Sequence, residues 1–226
     1  MPPLPLQSDW AFVVGNLDLL LVGTGVTVAL TAASILLGFL LGFPAGAVEV
    51  YGRGPLKRAV ETAGVVLRGT PLLVIIILLF FGLSVSSSAF VTATIALGLR
   101  SAAYQSQIFR GALQSVDEGQ LEAARAVGMG RLQAIRSVVV PQALRRSVPG
   151  FQNEFTIVLK DTSIAIVIGL GELLTVGQNL YQGGRSTAAL EIFLTVSLIY
   201  FVLTFVTNRS LDYVDDHFSI PGGERA

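Results

Sequence analysis

Arg100 lies in the middle of an otherwise apolar stretch, and Glu154, Lys160 and Asp161 stand near the start of another. A charge at the centre of a bilayer costs about 2.5–3.5 kcal/mol on the insertion scale, so such residues pair with one another or meet a charged solute. Glu154 and Asp161 are seven positions apart, on nearly one face of a helix, and Asp161 is opposite in sign to Arg100. Two chemistries fit. In the first, Arg100 and the acids form a buried ion-pair network between two helices. In the second, Arg100 meets an α-carboxylate while Glu154 and Asp161 face an ammonium or a cationic side chain. Both can hold, because a pair that compensates itself when empty can open to receive a zwitterion. Gly69 and Thr70 are further candidates for substrate contact. Pro71 disfavours helical geometry at Thr70 and frees backbone groups there, although a structural kink explains the same residues.

A different chemistry sits between Ser115 and Pro149, the longest polar, charge-bearing interval. It reads as two short amphipathic helices meeting at a bend. Ser115 and Glu118 have the spacing of a capping box. Leu121, Ala124 and Gly128 share one face, and Leu132, Ile135 and Val139 another. Gly128 and Gly130 suit the turn between them. Two such helices between membrane spans make a knob that a soluble partner can grip.

The elements that carry these residues are set by composition. The chain has 226 residues, 52% of them hydrophobic and 13% charged, against the roughly 25% charge usual in soluble domains. Its mean hydropathy is +0.70 and its formal net charge zero. The class is an all-α, polytopic membrane protein, read as a single domain over 1–226. Leu19 to Val48 is free of charge for roughly 30 residues, where about 20 suffice to cross a bilayer. Within it Gly38, Gly42 and Gly46 repeat at the interval that lets two helices approach closely, and Pro44 is expected to kink or end the span. Ala59 to Val85 is the second span, interrupted at Arg68-Gly69-Thr70-Pro71. Ser84 to Ser88 is a turn, Phe90 to Phe109 the third span, Phe151 to Val176 the fourth, Gly177 to Arg185 a loop and Ile192 to Val206 the fifth. The tail from Asp212 is polar and acidic, and the only histidine, His217, is expected to be solvated there.

About five spans follow, and basic residues orient them. Arg53, Lys57 and Arg58 lie in the first loop, and Arg110, Arg125, Arg131, Arg136, Arg145 and Arg146 in or beside the third, whereas the fourth holds only Arg185. The expected topology has the N-terminus outside and the C-terminus in the cytoplasm, with the 115–149 loop cytoplasmic. The segment MPPLPLQSDW has no basic n-region and no small-residue cleavage site, so no removable signal peptide is expected.

Several function classes fall away. There is no cysteine, no His-rich cluster, no H-E-x-x-H and no G-x-S-x-G, so neither metal nor catalytic residues are assigned. No G-x-x-x-x-G-K-[ST] phosphate loop occurs, and no basic patch suggests nucleic acid. Asn208-Arg209-Ser210 matches a glycosylation triplet but falls on the expected cytoplasmic side.

Glu122-Ala123-Ala124, then Gly128, then Val138-Val139-Val140-Pro141 resemble the EAA loop of bacterial and archaeal ABC-importer permeases. Val138 and Val140 depart from the Ile and Leu of that pattern. Arg68-Gly69-Thr70-Pro71-Leu72-Leu73, Ala102-Ala103-Tyr104 with Ile108-Phe109-Arg110-Gly111, Pro141-Gln142-Ala143-Leu144-Arg145 and Lys160-Asp161-Thr162-Ser163 resemble the polar amino-acid permease subfamily. Gln107 stands where that subfamily often has Glu.

The resemblance implies a transmembrane subunit of an ATP-driven importer of polar amino acids in the cytoplasmic membrane. Glu154, in its Asn-Glu-Phe context, is similar to members that handle basic ones. It implies an ATP-binding cassette subunit gripping Glu122, Ala123, Ala124, Gly128 and Pro141, a second permease subunit (identical or homologous), and an extracellular solute-binding protein. The chain is then not an enzyme and needs no cofactor, with ATP and Mg in the partner ATPase. The alternative is an ion-coupled secondary transporter or channel using Arg100 and Asp161 as a charge relay. Such proteins usually show internal inverted repeats, and five spans with one large structured loop fit that poorly.

Overall fold

A computed structural model describes residues 9–183 and 186–218, without the side chains of Ser186 and residues 214–218. Arg185 and the side chain of His217 therefore lie outside the described residues. Every regular element among the described residues is helical.

A short helix α1 (Asp9–Gly15), absent from the sequence reading, precedes α2 (Leu17–Tyr51). Pro44 does not end α2, which continues unbroken for two further turns. A loop leads to α3 (Gly54–Gly69), which is bent by 105° against the segment formed by α4 (Leu72–Ile77) and the π-turn Leu78–Gly82. The expected distortion at Thr70 is thus a sharp corner. Pro71 has no N–H to offer the Leu67 carbonyl, and Thr70 is extended (φ −96°, ψ 129°). After the turn around Ser84 comes α5 (Ala89–Gln114).

The main packing is α5 against α2, and the glycine repeat makes it possible. A methyl added at Gly42 would lie 2.7 Å from the Ala102 carbonyl oxygen, and one at Gly46 2.7 Å from that of Ser106. Gly38 faces the Ser101 and Gln105 side chains as closely. Small residues here let two backbones meet, which matters where lipid removes the hydrophobic drive between helices.

The 115–149 interval differs from its reading in two respects. Ser115 does not cap the next helix. Its backbone is still helical (φ −79°, ψ −12°), and its hydroxyl donates to the Ala112 carbonyl. Asp117 is the residue that leaves helical geometry, and its Oδ1 accepts the Gly119 N–H at the start of α6 (Glu118–Ala126). Secondly, the next helix is not a separate short piece. It begins as α7 (Arg131–Ala134), widens into a π-turn at Ile135–Val139, and continues as α8 (Val140–Asp161). Pro141 explains the widening: it cannot bond back to Ser137, and the N–H of Val140 reaches Ile135 instead. Leu132 does not join the buried face with Val139, being 79% exposed.

The fourth span, expected from Phe151 to Val176, is broken. Its helix ends at Asp161, passes through a 3-10 segment Thr162–Ile168, and turns at Gly169, whose φ of +71° favours glycine. Helix α9 (Leu173–Gly183) then occupies most of what was expected to be a Gly-rich loop. Helix α10 (Ala189–Phe218) extends into the beginning of the expected polar tail. Gln152 donates to Asp212 at 2.6 Å and Thr156 to Asn208 at 2.7 Å, holding α8 on α10. Leu17–Tyr51 and the Ala189–Tyr213 stretch of α10 are each long and apolar enough to cross a membrane, as is the bent α3–α4 pair taken as one.

Candidate functional site

Helices α5 and α8 bring Arg100, Glu154 and Asp161 together. Arg100 Nη1 donates to Asp161 Oδ2 in an ion pair whose side chains are 21% and 23% exposed. The guanidinium also lies 5.2 Å from the ring centre of Tyr104, one helical turn along α5. Glu154, two turns before Asp161, is buried, with Ser101 and Arg100 as its neighbours. The α8 face anticipated from the seven-residue spacing therefore exists, and the ion-pair chemistry is realised in it.

Gly69 and Thr70 are not part of this cluster. Both sit at the α3–α4 corner, where the Thr70 hydroxyl donates within its own helix to the Val66 carbonyl at 2.8 Å. Their neighbour Arg68 reaches inward instead, donating to the Ala103 carbonyl at 2.8 Å and so tying the corner to α5.

Two further polar groups, Glu49 and Glu172, escaped the sequence reading, and Lys160, which it named, stands apart from the cluster. Glu49 is buried on α2, where it accepts from Gln107 at 2.7 Å and lies 3.6 Å from Arg110. This gives Gln107 a physical reason: an amide can donate to Glu49, and a second carboxylate there would repel it. Glu172 is fully buried and caps α9. It accepts the backbone N–H groups of Leu174 and Thr175 at 3.0 and 2.7 Å and the Tyr200 hydroxyl at 2.7 Å. Lys160 is exposed and lines an open recess among α8, α9 and α10.

At the other end of α8, the α6 tripeptide divides its work. Ala124 is buried, 6% exposed, and on the same helix Leu121 packs against a small core of Leu113, Val116, Val139 and Ala143, while Glu122 and Ala123 face outward. Gly128 turns the chain with φ +90°, and Pro141 is exposed on the continuing helix. Val127 and Leu132, 77% and 79% exposed, project beside them as apolar tips that periodicity alone had placed elsewhere or left unassigned.

Residues 13–220 match the model of the family described as binding-protein-dependent transport system inner membrane component. The chain is 34% identical over 207 residues to the octopine transport system permease protein OccQ of Rhizobium meliloti, covering 84% of this chain and 86% of that protein. It is 33% identical over 220 residues to the glutamine transport system permease protein GlnP of Escherichia coli K12, covering 95% and 100%. Among solved structures, it superposes on a chain of an amino acid ABC transporter crystallised with histidines with a TM-score of 0.84 at 30% identity, covering 94% and 100%. The fold also matches the MetNI methionine ABC transporter (TM-score 0.79, 22% identity).

Proposed function

The chain belongs to the family of inner membrane components of binding-protein-dependent transport systems, and from that premise we propose that it imports polar amino acids, with a preference for basic ones. As a multi-pass permease subunit of an ABC importer, it works with an ATPase and a solute-binding protein. The secondary-transporter alternative is not favoured, because the family match spans nearly the whole chain.

Our reading takes the chain as one domain with about five spans, its N-terminus outside and its α6–α7 knob in the cytoplasm. Glu122, Ala123, Gly128, Val127 and Leu132 then face the ATPase, with Ala124 seating α6 and Pro141 setting the soft turn behind it. The observation that carries this reading is the knob's continuity with the charged cluster through one helical rod, α7–α8. ATP and Mg are held by the partner chain, which performs the hydrolysis. A second permease subunit, identical or homologous, completes the path.

For the substrate, Glu154 and Asp161 supply negative charge at membrane depth, which favours a cationic side chain over an anionic one. Arg100 holds Asp161 while the path is empty and releases it to an incoming zwitterion. Gly69 and Thr70 contribute backbone groups at the corner. The names of the octopine, glutamine and amino acid relatives support the substrate class.

The test is ATP hydrolysis by the reconstituted complex with arginine, lysine, histidine, glutamine and glutamate in turn. Stimulation by the basic set alone is expected. Stimulation by glutamine or glutamate overturns the selectivity and leaves the importer, and hydrolysis indifferent to every amino acid overturns the substrate class.

A further inference from the structure

We infer that a second cavity, behind the knob, is a regulatory site for a small organic amine that carries no carboxylate. Its influence on ATP hydrolysis rests on the proposed reading of the knob as the cytoplasmic ATPase contact; the site itself rests on geometry. Four elements close around the cavity: the end of α2 at Tyr51, the end of α5 at Leu113 and Gln114, the start of α6, and the π-turn at Val139. Its volume is about 420 Å³, within the range of small-molecule sites. It lies at the opposite end of α8 from the Arg100–Asp161 pair and shares no residue with the recess at Lys160.

The lining sets the chemistry of the ligand. Leu113, Val116 and Val139 are buried and give one wall an apolar, packed surface. Asp117 and Glu118 line the cavity beside them and are exposed. No Lys, Arg or His nitrogen among the described residues lies within 4.0 Å of either carboxylate, and no basic residue lines the cavity. Asp117 Oδ1 accepts the Gly119 N–H at 2.7 Å, which fixes the carboxylate and leaves Oδ2 for a ligand. The junction just before it is held from α8, where Arg146 donates to the Ser115 carbonyl. A cation on a short apolar chain satisfies both walls, with its charged head at Asp117 and Glu118 and its methylenes on Leu113, Val116 and Val139. A free amino acid does not, because its α-carboxylate meets two acids with no counter-charge beside them. The ligand class is therefore an amine or guanidine without a carboxylate, chemically distinct from the transported solute. Seated there, it touches α2, α5, α6 and the π-turn at once and opposes displacement of α6 against α2.

The test uses the permease–ATPase complex in nanodiscs, with agmatine and 1,6-diaminohexane as probes. Equilibrium binding of each is measured alone and in competition with L-arginine and L-glutamine, and ATP hydrolysis is followed as the probe is added. Wild type is expected to bind both amines, to keep them when the amino acids are in excess, and to hydrolyse ATP more slowly as the site fills. Asp117→Asn/Glu118→Gln keeps a side-chain oxygen to cap α6 and should weaken amine binding at least about tenfold, since two charge contacts are lost. Gln114→Trp, at an exposed position on the wall, should block the cavity. Absence of amine binding by wild type overturns the inference, as does binding that survives both variants. Amines displaced by the amino acids as readily as by unlabelled amine belong to the transport path, and that result also overturns it. If neither variant assembles, the competition decides alone. Binding that leaves hydrolysis unchanged overturns the regulatory role. The knob reading fails separately, through normal co-purification of Glu122→Lys with the ATPase, which leaves the amine site standing.

Discussion

Replacing Asp161 with Asn separates the structural from the transport role of the α5–α8 ion pair. The change preserves shape and removes the charge that compensates Arg100. Breaking a fully buried pair costs about 3–5 kcal/mol, because the remaining charge is stranded, whereas an exposed pair is worth about 0–1 kcal/mol. With its side chains 21% and 23% exposed, this pair falls between those limits, at about 2–3 kcal/mol. Tyr104 keeps part of the stabilisation of Arg100, which places the value below the buried limit. At roughly 2–4 °C per kcal/mol for a chain of this size, the complex should melt roughly 4–12 °C lower. Thermal unfolding in nanodiscs reads this directly. The double variant Arg100→Gln/Asp161→Asn should recover most of the loss, since no charge is then stranded, while amino-acid-stimulated ATP hydrolysis should stay low. An unchanged melting temperature for Asp161→Asn, or a double variant as unstable as the single, refutes the reasoning.

The remaining predictions address other parts of the molecule. Glu122→Lys, on the outward face of α6, should abolish co-purification with the ATPase without affecting membrane insertion; normal co-purification counts against the docking role. Glu154→Gln should weaken stimulation by lysine and arginine several-fold more than by glutamine, and equal losses would sink the selectivity argument. Gly42→Val should destabilise the complex by at least about 1–3 kcal/mol, because the new side chain meets the Ala102 carbonyl; Gly25→Ala, which meets nothing within 4 Å, should be neutral or slightly stabilising in the same melting assay.

What the sequence reveals here follows from how local each signal is. The α2–α5 contact is legible because its cause, three small residues at one helical interval, lies within a single segment. The corner at Thr70 is legible for the same reason, since Pro71 forces it whatever surrounds it. The break after Asp161 is not, because the run Ile164–Leu170 is apolar enough to pass for the continuation of a span. Only the left-handed turn at Gly169 and the cap supplied by Glu172 reveal a new helix, and Glu is an unusual residue for that cap. Ser115 and Asp117 are both good capping types two positions apart, and backbone geometry alone decides between them. At the site, opposite signs were enough to pair Arg100 with Asp161. That Lys160 has no ion pair among the described residues is visible only once that pairing is known, because it depends on which acid another helix has already taken.

The run from α7 through α8 also has a mechanical meaning. At ~1.5 Å per residue, the stretch from Arg131 to Asp161 is about 45 Å long. A tilt of about 10° pivoted at one end sweeps the other through roughly 8 Å, more than a full helical turn. The π-turn at Ile135–Val139 sits close to the knob, and the longer part of the run lies on the charged side. On the proposed reading of the knob as the ATPase contact, a small push there becomes a larger stroke at Asp161, and stiffening the π-turn is expected to shorten that stroke without touching either end.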